Sequence, residues 1–161
     1  MRRTVFAAAF TAFFLSFAVS LHATDIGATG GWTDLVIGSS DLQGGAGTDL
    51  QDSYTSGEEA TTLNVTGTSG SNGAWKVQVR MDNTSWQSEV ILSVQRTGDG
   101  SGAGSISNGT SYTAVGTSDV YFFEGTGDKT AIPIQYKISG MSVSVPPGTY
   151  STTLTFTVVD I

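Results

Sequence analysis

The chain has 161 residues, with 7 Lys and Arg against 14 Asp and Glu, 21 Gly, 3 Pro, one His and no Cys. The single histidine, His22, belongs to an N-terminal stretch that reads as removable, which would leave a chain without imidazole or thiol. That excludes Ser-His-Asp and Cys-His catalysis, disulfides and ordinary zinc or copper sites, and a net charge of −7 disfavours nucleic acid or an anionic membrane as partner.

Arg2 and Arg3 form a positive start, Val5 to Leu21 is apolar apart from Thr11, Ser16 and Ser20, and Ala23 offers a small residue before a cut. This is the pattern of a secretory signal peptide over residues 1–23, with a retained N-terminal anchor as the alternative. The apolar run is short for a membrane span, and nothing after Thr24 is apolar for long enough to cross a bilayer. The expectation is an exported protein, secreted or held at the cell surface, with one domain over residues 24–161.

Thr24–Gly31 reads as a flexible, Gly-bearing leader, followed by Trp32-Thr33-Asp34-Leu35-Val36-Ile37 with a short strand over 34–37. Alternation puts Leu35 and Ile37 on one face with Thr33, and Trp32, Asp34 and Val36 on the other. Such a segment can complete its own sheet or add to a neighbour's, with Leu35 and Ile37 as anchors. Trp32, set among Gly30, Gly31 and Thr33, is the aromatic most open to a partner. Gly38–Glu59 is acidic and irregular. Asp41, Asp49, Asp52, Glu58 and Glu59 have oxygen ligands that suit calcium, but their spacing does not match an EF-hand loop, and a solvated acidic loop is the simpler reading.

From Thr61 onward, period-2 alternation dominates. Thr61–Thr66 is a weak strand. In Trp75-Lys76-Val77-Gln78-Val79-Arg80-Met81 the odd positions are apolar, so Trp75 packs inward with Val77 and Val79 rather than stacking on a sugar. Trp86 shares the inward phase of Val90, Leu92 and Val94. Thr97–Ser105 is Gly-rich but lacks the Lys and the following helix of a phosphate loop, and reads as a mobile hairpin loop. Ser111–Val115, Asp119–Phe123 and Met141–Val145 are further weak strands. Ile132, Ile134, Tyr136 and Ile138 alternate with Pro133, Gln135 and Lys137, and Pro133, lacking an N–H, belongs at an edge or bulge. Tyr150, Thr152, Leu154, Phe156 and Val158 alternate with small hydroxyl residues. Asn64, Asn83 and Asn108 head glycosylation sequons, which matter only in a host that glycosylates.

Short strands parted by turns such as Gly125–Asp128 and Pro146-Pro147-Gly148 predict an all-β fold, an antiparallel immunoglobulin-like β-sandwich of about 7–9 strands. Its expected inter-sheet core is Val77, Val79, Leu92, Val94, Ile134, Ile138, Leu154 and Phe156.

The run Ile132–Ser139, followed by Val143-Ser144-Val145-Pro146-Pro147-Gly148-Thr149-Tyr150 and the alternating Ser151–Val158, resembles the end of a pilin-like domain. It is most similar to the spore coat U type of secreted fibre subunit. The resemblance covers only the C-terminal third; that family often carries cysteines, and the half containing Trp32, Trp75 and Trp86 offers no motif to align. It implies an Ig-like subunit that pairs with related subunits by strand addition, exported through a periplasmic chaperone and an outer-membrane usher.

The sequence therefore leads to a non-enzymatic structural subunit of an extracellular fibre, coat or surface layer, self-associating and without catalytic residues, metal or cofactor. The alternative is a monomeric carbohydrate-binding or adhesive sandwich with a glycan as partner.

Overall fold

The computed structural model describes residues 23–33 and 35–161, so nearly all of the expected signal peptide lies outside the described residues. Among the described residues ten strands follow one another: β1 Asp25–Gly30, β2 Ser53–Thr55, β3 Thr61–Thr66, β4 Ala74–Ser85, β5 Ile91–Arg96, β6 Ile106–Ser107, β7 Thr113–Ala114, β8 Val120–Thr126, β9 Lys129–Ser139 and β10 Ser151–Asp160. Seven of them have six residues or more. The described residues contain no α-helix, only two 3₁₀ turns, at Ser39–Asp41 and Gly70–Asn72.

The strands form two antiparallel sheets. One has the order β1-β3-β9-β5-β7, with β2 pairing the far end of β9; the other has the order β10-β4-β8-β6. Alternation explains why they stack. Each long strand turns one apolar row inward, and the two rows together shed water that neither sheet alone can exclude. Leu63, Val65, Val94, Ile132 and Ile134 from the first sheet meet Trp75, Val77, Val79, Phe122 and Phe123 from the second, all essentially without solvent exposure. Edge-to-face contacts tie the aromatics together, with ring centroids 4.9 Å apart for Phe122–Phe123 and 6.0 Å for Trp75–Phe123.

Two local features break the alternation. In β8 the register against β4 passes from Val77↔Phe123 to Gln78↔Tyr121, leaving Phe122 as an extra residue. This bulge lets consecutive phenylalanines both enter the core. In β9, Pro133 lies in a central strand rather than at a sheet edge. Its carbonyl accepts the Thr97 N–H at 3.0 Å just beyond the last β5 pair, Arg96↔Ile134, so its missing N–H costs no ladder bond inside β5. A register shift between Leu63 and Val65, with Ala131 at φ 52°, lies beside it, in keeping with the expected bulge.

Glycine is required opposite Trp75. The pair Trp75↔Gly125 is in register, and a Cβ on Gly125 would lie 2.7 Å from the indole ring and 2.6 Å from the Ser105 carbonyl. The indole N–H donates to the Gly127 carbonyl at 2.8 Å, so the buried ring has its polar atom satisfied. At the sandwich end, Tyr150 folds over Gly148 and its hydroxyl donates to the Pro146 carbonyl, bracing the turn that launches β10.

Several expectations need correction. The first strand is Asp25–Gly30, the Gly-bearing leader, which pairs with β3 from Asp25↔Thr66 to Gly30↔Thr61; of the strand expected over 34–37, Asp34 lies outside the described residues and Leu35–Ile37 is not in a strand. Met141–Val145 forms no strand; the Met141 N–H goes to the Asp52 carbonyl and the Val143 N–H to the Asp49 carboxylate. Thr97–Ser105 is no hairpin loop but a crossover from β5 to β6 in the other sheet, held to β9 by the Ser101↔Thr130 bridge. Of the expected core, Ile138, Leu154 and Phe156 are only partly buried.

Candidate functional site

β1 and β10 are the terminal strands of their sheets and lie beside each other, the Thr24 hydroxyl donating to the Asp160 carboxylate. Burial falls away abruptly there. Val65 and Leu63 are fully buried on β3, yet their register partners on β1 are a partly buried Ile26 and an exposed Ala28. Val79 and Val77 are fully buried on β4, yet their partners on β10, Phe156 and Val158, are only partly buried, as is Leu154.

The cause is legible in β1. Its sequence Asp-Ile-Gly-Ala-Thr-Gly supplies one large apolar side chain, so it cannot roof the apolar row of Leu154, Phe156 and Val158. Among the described residues, no strand pairs with the outer edge of β10, which leaves backbone donors and acceptors beside an apolar row. An edge of this kind can accept a further strand, because ladder bonds satisfy the backbone and inward side chains fill the gap.

The expected anchors lie just after β1. Trp32 is partly buried and packs against the core cluster. Leu35 and Ile37 are partly buried, Val36 is 84% exposed, and none of the three lies in a strand. Gly31 N–H still reaches the Ala60 carbonyl at 2.8 Å, which ends the β1–β3 pairing and frees the chain to leave the sheet. The structure thus brings the segment to the rim of the first sheet without building it into one.

The acidic loop is tied up locally. Asp41 accepts the Gly38 N–H at 2.8 Å, and Asp49 accepts the N–H groups of Leu50 and Val143, both at 2.8 Å. The Val143 and Leu50 amides hold the Asp49 carboxyl below its ordinary pKa. No group of three or more acidic or histidine side chains gathers among the described residues, and no helix there is long and apolar enough to cross a membrane.

Two buried cations escaped sequence reasoning. Arg96 points into the β5–β6 crossover, where it pairs with Asp99 and donates to the carbonyls of Asn108 and Gly98. Lys129 is 6% exposed and donates to the Gly102 carbonyl at 3.3 Å. The only prior signal is a basic residue flanking a Gly-rich stretch whose carbonyls need donors. Compared with protein families, curated proteins and solved structures, the chain matches none.

Proposed function

We propose that the chain is an exported, non-enzymatic structural subunit of an extracellular fibre, coat or surface layer, joined to its neighbours by strand addition at the β10 edge. The observation that carries this reading is the loss of burial at the terminal strand of both sheets, which leaves Leu154, Phe156 and Val158 half-roofed beside an unpaired backbone. The signal-like N-terminus, the Thr-rich β composition and the C-terminal resemblance support it. The occupant is a segment of a second copy. Residues 31–37 are suitable, since they bear Trp32, Leu35 and Ile37 and follow a strand that holds them at the rim.

Absence of cysteine makes the test clean. One preparation carries Ile37→Cys and another Phe156→Cys, and the two are mixed under mild oxidation. A disulfide-linked heterodimer forming well above the level of either homodimer is the expected result. Protein that stays monomeric at every concentration, or cross-links no better in the mixture than alone, overturns the proposal.

A further inference from the structure

On the side of the sandwich away from β10, we infer that the concavity between the β6–β7 connection and β8 binds a neutral pyranose sugar. The second sheet leaves this place unfilled. β6 pairs only with Gly125 and Glu124, so the earlier part of β8 meets the 108–112 connection instead of a strand. The resulting concavity is about 300 Å³, lined by Asn108, Thr110, Ser111, Thr113 and Tyr121 around Gly109 and Phe122. That is the small end of the range for ligand sites, room for one or two sugar rings.

The lining chemistry selects the ligand class. Among the described residues no charged side chain lines the concavity, and the Glu124 carboxylate lies beside Tyr121, so nothing there attracts a phosphate or a carboxylate. What remains is an amide, the hydroxyls of Thr110, Ser111, Thr113 and Tyr121, and two aromatic rings, of which only that of Tyr121 is exposed. Tyr121 is 42% exposed, while the neighbouring Phe122 and Phe123 are buried. A pyranose has an apolar C–H face to lie on such a ring and a rim of hydroxyls for the amide and the Thr and Ser side chains. Burial, more than the nearby Glu124 carboxylate, pushes the Tyr121 phenol up, so it remains an uncharged partner at neutral pH.

The site is also held in shape before any ligand arrives. Asn108 and Gly109 take consecutive left-handed conformations, φ 64° and 73°. Asn and Gly are the residues that take up such backbone most readily, and contacts around the turn fix it further. Here those contacts come from beneath. The nearly buried Arg96 donates from its side chain to the Asn108 carbonyl, and from its backbone to the Gly109 carbonyl at 2.7 Å. A Cβ on Gly109 would lie 2.9 Å from the Phe123 Cβ, so the loop sits down hard on the core. From this base, the Asn108 amide N–H donates to the Tyr121 hydroxyl at 2.8 Å, fixing amide and ring together. The Asn108 amide oxygen has no partner among the described residues and is left as an acceptor for a sugar hydroxyl. A preformed site of this kind pays little ordering cost on binding.

The test uses the ¹⁵N-labelled mature chain, titrated with cellobiose and, separately, N-acetylglucosamine. Amide shifts confined to Asn108–Thr113 and Tyr121, with a dissociation constant on the order of 1 mM, are expected for so small a contact. Tyr121→Ala, which removes the platform from a solvent-facing position, should weaken binding about tenfold or more, as expected for losing the main contact of a weak site. Asn108→Gly, which keeps the left-handed backbone and deletes only the amide, should also weaken it. No shift with either sugar at about 50 mM, far above the expected constant, overturns the inference. So do shifts that map elsewhere, or Tyr121→Ala binding as tightly as the parent chain.

Discussion

Replacing Phe123 and Phe156 by alanine, one at a time, measures how open the β10 side is in solution. Both rings neighbour Phe122, at centroid distances of 4.9 and 6.3 Å, and both face the same core. Phe123 is 0% exposed and sits between Trp75 and Phe122, so its loss removes a full side chain from the interior and leaves a void that its neighbours cannot close. The cost should be about 3–5 kcal/mol. Phe156 is only partly buried on the terminal strand, so less area returns to water and the vacated space opens to solvent instead of remaining a cavity. Its cost should be about 1–2.5 kcal/mol, scaled from the same area argument. Urea unfolding of dilute protein, read by circular dichroism with the slope checked for constancy, supplies both values. Equal costs for the two substitutions would refute the reasoning, because Phe156 would then be as deeply enclosed as Phe123.

Gly125→Ala should destabilise by about 1–3 kcal/mol, since the added carbon collides with the Trp75 ring and the Ser105 carbonyl, and the near-ultraviolet signal of the indole should change with it; an unchanged urea midpoint would contradict the packing described around Trp75. Acid should weaken the fold through Asp128 and Asp49. The Thr68 hydroxyl and amide lower the Asp128 pKa, and the Val143 and Leu50 amides lower that of Asp49. Both carboxyls are therefore more acidic folded than unfolded, so their contribution is complete above the unfolded carboxylate range near pH 4 and is lost as pH falls through the folded values. The urea midpoint should fall on acidification, and less steeply in the Asp49→Asn/Asp128→Asn double variant; identical pH profiles would remove both groups from the account.

The strands with strict alternation and large inward residues were legible because one physical rule suffices for them. Thr61–Thr66 matches β3 in full, and the inward phase of Trp75, Val77 and Val79 is that of β4. β1 was not legible, since a stretch of Gly, Ala and Thr has little strand propensity of its own and is held by its six-residue register with β3. Conversely, residues 34–37 and Met141–Val145 have strand-like composition, but Leu35–Ile37 lies outside the strands and the second segment gives its amides to Asp52 and Asp49 instead of a ladder. Adjacent Phe122 and Phe123 cannot both be inward under a period of two, and only the bulge reconciles them. Phe156 was placed on the right face of its strand, but its depth depends on what lies beside β10, which no local pattern records. For the same reason Trp32, Leu35 and Ile37 were named from residue type, while the half-roofed row proposed to receive them required the sheet order. Tyr121 and Asn108, thirteen residues apart, meet because the β6–β7 connection folds back over β8.

The position of β9 bears on how the chain acquires its structure in time. β9 touches β3 and β2 along one edge and β5 along the other, so most of the first sheet is assembled on residues 129–139. Until that stretch has emerged, β3 can pair only with β1 and β5 only with β7, and β2 has no partner. Loop closure over such separations is slow compared with hairpin formation. A polypeptide delivered from its N-terminus would therefore hold the two ends of this sheet as separate ribbons, and the sheet would close late, when β9 arrives between them.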